Sequence, residues 1–168
     1  PLTSSLIKLK QVDVLRNLVR TLYKITLIFT LPLTIITVVY SKEILTLLYS
    51  SQYMVASVAL QILSVSAIFT VFFLINTNLL NGIGKPKINS NLIIYGTIMN
   101  VSLNFFLIPR YGINGAAFST MMGYLLMALS STYYLKKNLK ISKLNFPLFE
   151  GVIIGIVLLL FTNYLKQN

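Results

Sequence analysis

"LIPRYGINGAAFSTMMGY", residues 107–124, breaks an apolar run at Pro109, Arg110, Tyr111 and Gly112 and resumes it on Gly115, Ala116 and Ala117. In a water-soluble fold this would be an odd loop followed by a helix whose side chains are too small to fill a core. Between two membrane-crossing helices the same residues read as a tight hairpin. Pro109 removes a backbone donor and Gly112 supplies the turn. Gly115, Ser119 and Gly123 then recur every four residues, a stripe on which a second helix can pack closely.

The chain on either side supports the membrane reading. Five stretches, 22–40, 56–80, 90–108, 113–135 and 148–165, are apolar over about the 20 residues that a helix needs to cross hydrocarbon. None carries Lys or Arg in its central turns, and "GVIIGIVLLLF" (151–161) has no polar stripe at helical period. The alternation of a membrane β-barrel is missing. The expected fold class is therefore all-α, a multi-pass transmembrane bundle of about five spans.

Composition agrees and excludes several kinds of chemistry. The 168 residues are 56% hydrophobic and 10% charged, against about 25% charged in a typical soluble domain. There is no Cys and no His, so disulfides, thiolate zinc sites, Ser–His or Cys–His nucleophiles and a histidine switch are excluded. The only carboxylates are Asp13, Glu43 and Glu150, far apart in sequence. Paired-carboxylate catalysis and a carboxylate metal cage have almost no material. No cofactor, no metal site and no enzyme activity are expected.

The net charge of +11 is interleaved with the apolar runs rather than gathered in one patch, which argues against nucleic acid as a partner. Lys8, Lys10, Arg16, Arg20 and Lys24 precede or open the first span. Lys85 and Lys87 lie between spans two and three, and Lys136, Lys137, Lys140 and Lys143 between spans four and five. The other side holds Lys42, Arg110 and Lys166. The positive-inside rule places the richer side in the cytoplasm, with the amino terminus inside and the carboxy terminus outside a plasma-membrane protein. The expected divisions are a cytoplasmic amphipathic segment (1–21), four spans (22–135), a basic cytoplasmic loop (136–147) and a further span with its tail (148–168). Over residues 10–24 the cations share one helical face with Asp13, opposite Val12, Leu15, Val19 and Leu22. That pattern fits an anchor on anionic lipid that turns inward at the first span; a phosphate-bearing ligand is the alternative.

Smaller features have plain readings. Pro32 falls inside span one, where proline kinks are common. Tyr40, Tyr49 and Tyr53 suit an interfacial position around the outer connector 41–55. Gly82 and Gly84 lack the Gly-Lys-Ser/Thr context of a phosphate loop. Gly151 and Gly155 repeat the helix-packing device of Gly115, Ser119 and Gly123 in span five.

Four pieces in order resemble the polysaccharide flippases (O-antigen type, for lipid-linked oligosaccharide) of the multidrug/oligosaccharidyl-lipid/polysaccharide exporter superfamily. They are "PLTSS" (1–5), "LPLTIITVVYSKEILTLLYSSQY" (31–53), "ALQILSVSAIFTVFFLINTNLLNGIGKPKIN" (59–89) and "NVSLNFFLIPRYGINGAAFSTMMGYLL" (100–126). The resemblance implies a two-lobed exporter with a central cavity that moves polyprenyl-pyrophosphate-linked glycan by alternating access, for cell-surface polysaccharide. It also implies that this chain is a carboxy-terminal portion whose partners are membrane lipid, the lipid-linked glycan and a missing amino-terminal lobe. Asn76, Asn78, Asn100 and Asn104 are then candidates to meet sugar hydroxyls, with interhelical hydrogen bonding as the alternative role. Arg20 and Lys24 are candidates to meet pyrophosphate. Glu150 is a weaker candidate for ion coupling. Competing expectations are a cation-coupled small-molecule or drug antiporter of the same superfamily, a non-transporting fragment or assembly partner, and a membrane glycosyltransferase, for which the acid and base groups are lacking.

Overall fold

The computed structural model describes residues 12–139, and within them every regular element is helical. Helix α1 is Val12–Val39, α2 is Ser41–Leu48, a 3-10 turn follows at Ser51–Ala56, α3 is Ser57–Gly82 and α4 is Pro86–Leu139. Three segments are long and apolar enough to cross a membrane: Arg16–Val39, Ser51–Gly82 and Pro86–Leu139. The fifth expected span, 148–165, lies outside the described residues, and so do Gly151, Gly155, Lys8, Lys10, Lys140 and Lys143.

The 54 residues of α4 would make a straight rod of about 80 Å, far beyond a hydrocarbon core of about 30 Å. The rod does not run straight. At Gly112 the backbone takes φ 55° and ψ −131°, a conformation that costs a residue with Cβ about 1–3 kcal/mol. The helix reverses there, and its two arms, 86–111 and 113–139, lie antiparallel. The reversal is so tight that a Cβ on Gly115 would stand 2.4 Å from the Leu107 carbonyl oxygen. Further along, Gly123 lies against the Gly96 carbonyl and the Asn100 side chain. The hairpin read from residues 107–124 is present.

The second arm is central. Ser131 and Thr132 bond to Asn76 of α3 on one side, while Gly123 faces the first arm on the other. Helix α1 covers α3 in antiparallel sense. Tyr23 meets Asn76 near one end, and Thr34 donates to the Ser64 carbonyl at 3.2 Å nearer the other. Gln61 closes that other end by donating to the Val38 carbonyl (3.2 Å) and the Ser41 hydroxyl (2.9 Å). The apolar core comprises Val19, Tyr23 and Leu27 of α1, Phe72, Phe73, Leu79 and Leu80 of α3, and Leu92, Ala128, Leu135 and Leu139 of α4. Tyr23 sets its ring edge-on to Phe72, with centroids 5.0 Å apart.

Outward faces are also apolar. Phe29, Leu33, Phe105 and Phe106 are each more than 60% exposed. Water would penalise such a surface, whereas lipid tails do not.

Helix ends differ from the apolar stretches in a regular way. Helix α1 begins well before residue 22, α3 reaches Gly82, and the hairpin arms run back to Pro86 and on to Leu139. Helix α1 and both arms of α4 therefore continue past their apolar stretches into basic residues, whereas α3 stops at Gly82, before Lys85. Helix α1 is unbroken across position 22, where the sequence reading turns a surface helix into a span, and Pro32 leaves no gap in it. Helix α3 ends in a Schellman motif: Lys85 N–H donates to the Leu80 carbonyl and Gly84 N–H to the Asn81 carbonyl, with Gly84 at φ 74°.

Candidate functional site: amides at the helix seams

The helix directions bring scattered cations together. Arg16, Arg20 and Lys24 lie toward the start of α1, Lys85 and Lys87 at the α3–α4 turn, and Lys136 and Lys137 at the end of α4. All seven belong to one end of the bundle. Lys42 and Arg110 belong to the opposite end. Arg20 is exposed and Lys24 half-buried.

A turn inward from the basic end lies a buried polar knot joining three segments. Asn76 is completely buried. Its Nδ2 donates to Ser131 Oγ at 2.9 Å and to Thr132 Oγ1 at 2.8 Å. Its Oδ1 accepts from the Tyr23 hydroxyl. Both hydroxyls of the second arm bond to the Ala128 carbonyl as well, Ser131 at 3.0 Å and Thr132 at 2.8 Å. A buried polar group without partners costs several kcal/mol in hydrocarbon; here each finds one. The Asn76 amide is thus committed to the interior, and what it does is hold α1, α3 and α4 in register. Asn78, two residues on, faces outward and is exposed.

The second polar cluster lies inside the hairpin. Asn100 and Asn104 sit one turn apart on the first arm, both half-buried. Asn104 Nδ2 donates to Asn100 Oδ1 at 2.9 Å, and Asn100 Nδ2 donates to Thr120 Oγ1 on the second arm at 3.3 Å. The chain of amides stops there: Asn104 Oδ1 is buried and has no hydrogen-bond partner among the described residues. That acceptor, beside two amides of limited exposure, suits a hydroxyl donor. Of the amides singled out from sequence, Asn76 joins the knot, Asn100 and Asn104 join each other, and Asn78 joins neither.

Gly115, Ser119 and Gly123 are all buried, with Ser119 Oγ turned back to the Gly115 carbonyl at 2.9 Å. Sequence reasoning missed Tyr23, Thr120, Ser131 and Thr132. The one signal was "SST" (130–132), three hydroxyls inside an apolar run with no charge to explain them. Among the described residues no group of three or more His, Cys, Asp or Glu could hold a metal.

Comparisons with known proteins place the chain among membrane proteins. The chain is 35% identical over 142 residues to the uncharacterized membrane protein MJ1068 of Methanocaldococcus jannaschii, a match covering 84% of this chain and 28% of that one. It is 33% identical over 63 residues to MJ1375 of the same organism, covering 38% and 15%. Over 103 residues it is 27% identical to Agl15 of Haloferax volcanii, described as a probable low-salt glycan biosynthesis flippase, covering 61% of this chain and 22% of that one. The chain thus spans between about a sixth and rather more than a quarter of the length of these relatives. No solved structure matches it. The family model for the lipid II flippase MurJ matches residues 1–165. An all-helical apolar bundle with that match over nearly its whole length belongs to the MurJ lipid II flippase family.

Proposed function

We propose that the chain is the carboxy-terminal part of a flippase that carries polyprenyl-linked oligosaccharide across the plasma membrane for cell-surface polysaccharide. The observation that carries this reading is the family match over residues 1–165. The likeness to Agl15, described as a probable glycan biosynthesis flippase, supports a glycan as cargo. In this reading five helices cross the bilayer, with the basic end of the bundle in the cytoplasm. The remaining lobe completes a cavity whose polar walls shield the sugar while the lipid tail stays in the bilayer, and rocking of the lobes exchanges access between sides. No bond in the cargo is made or broken.

Within this chain the Asn100–Asn104 pair is the contact for sugar hydroxyls, because its terminal acceptor is unpartnered while the Asn76 amide is used up. In this reading Arg20 and Lys24, near the basic end, meet the pyrophosphate. The test is glycan export in a flippase-deficient host that co-expresses this chain with an amino-terminal lobe of the family. Asn104→Ala should lower export about fivefold, the effect of losing roughly 1 kcal/mol of hydrogen bonding, at unchanged membrane abundance. Export that persists in Asn100→Ala/Asn104→Ala, or loss of the protein itself, removes the cargo-contact role.

A further inference from the structure

Between the two arms of α4, at the basic end, lies an open cleft of about 550 Å³ lined by Ile88, Asn91, Leu92 and Tyr95 of the first arm and Leu126, Met127, Ser130 and Tyr134 of the second. Ile88, Leu92, Leu126 and Met127 give it apolar walls, and Asn91, Tyr95, Ser130 and Tyr134 add polar groups along its length. At 1.5 Å per residue, Asn91 and Tyr134 are each about 8 Å from the ends of their arms, the depth of a headgroup boundary rather than of mid-membrane hydrocarbon. Lys137 continues the stripe of Leu126, Ser130 and Tyr134 by one more turn, and Lys87 stands one turn before Asn91. Both lysines are exposed. Among the described residues this end carries seven cations and the one carboxylate of Asp13 on α1, while Glu43 lies on α2 at the other end.

We propose that this cleft, with Lys87 and Lys137 at its mouth, binds an anionic phospholipid of the surrounding bilayer. The phosphate meets the two ammonium groups, Asn91 and the Tyr134 hydroxyl supply neutral hydrogen bonds, and the upper acyl chain lies along Leu92, Leu126 and Met127. Charge complementarity selects this occupant. A basic pocket between helices at a membrane surface favours lipid phosphate, and apolar walls below it favour a chain over a free ion. The site is distinct from the Asn100–Asn104 pair, which lies farther along the arms, so it stands or falls independently of the transport reading.

The full chain is purified in detergent and titrated with phosphatidylglycerol, phosphatidylcholine of the same chain length, or inorganic phosphate, with bound lipid counted by native mass spectrometry. Phosphatidylglycerol should be retained over phosphatidylcholine, and Lys87→Gln/Lys137→Gln should reduce that preference about thirtyfold. Lys42→Gln/Arg110→Gln removes the same charge at the opposite end and should leave the preference intact. Met127→Trp, which fills the cleft, should lower phosphatidylglycerol retention while the lysines remain. Equal retention of the two lipids overturns the proposal, as does equal loss in both charge variants. Displacement of the lipid by millimolar inorganic phosphate overturns it too, because it assigns the site to a free anion. So does a stronger preference for a polyprenyl phosphate than for phosphatidylglycerol, which assigns it to cargo.

Discussion

The Tyr23 hydroxyl donates to Asn76 Oδ1 across 53 positions of sequence, and this bond ties α1 to the helix that carries the hairpin. Around it Ser131 and Thr132 complete a knot in which every amide group of Asn76 has a partner. The bundle is thereby pinned near its basic end. At the far end Gln61 performs a similar task for α1 and α3, through Val38 and Ser41.

Asn76→Leu should destabilise the bundle by about 1–3 kcal/mol, because Tyr23 loses its acceptor and the two second-arm hydroxyls lose their donor. Tyr23→Phe removes one bond and should cost less, near the roughly 0.6 kcal/mol average for interhelical bonds in membranes. A double-mutant cycle read by thermal unfolding in detergent measures the coupling. Additive effects would show that the two side chains act apart.

The reversal at Gly112 should be intolerant of a side chain. Gly112→Ala should cost about 1–3 kcal/mol. Gly115→Val should do more harm, since its Cβ would meet the Leu107 carbonyl rather than a side chain that can move. The natural chain lacks cysteine, so an Asn100→Cys/Thr120→Cys pair reports the closed hairpin by its disulfide. Cross-linking should be fast in that background and slow when Gly115→Val is added.

Cysteines placed singly at Lys85 and Lys137 should react with an impermeant maleimide only after the cells are opened. Cysteines at Lys42 and Arg110 should react in intact cells. The reverse pattern would invert the assigned orientation; reaction of all four in intact cells would contradict placing the two ends on opposite sides of the bilayer.

If the Asn100–Asn104 pair meets cargo, its loss should act on transport and not on folding. Asn104→Ala should leave the unfolding free energy within about 0.5 kcal/mol, the range of ordinary surface substitutions, while export falls. Asn76→Ala should do the opposite in order of severity, lowering abundance first.

Legibility differed by scale. Apolar runs separated by lysines, and a Pro–Gly break before small residues, were enough to read helices, a hairpin at 107–124 and the gathering of cations on alternate turns. Those signals are local: a backbone in hydrocarbon must satisfy itself within each helix, and charge stays where lipid ends. Where each helix stops was less legible, since α1 and the arms of α4 continue into polar residues that hydropathy assigns to loops.

The amides divide on other grounds. Asn76, Asn78, Asn100 and Asn104 look alike in sequence, each an isolated polar residue in or at the end of an apolar helix. Their fates diverge because packing brings Tyr23, Ser131 and Thr132 to the first, leaves the second facing outward, and sets the last two against each other and Thr120. Apart from the Asn100–Asn104 bond, one turn along a single helix, these partners stand 20 to 56 positions apart across the helices, and no local pattern encodes a meeting that depends on the rotation and depth of neighbouring helices. Hydrocarbon insertion follows from composition; the choice of hydrogen-bond partner follows from how the inserted helices pack.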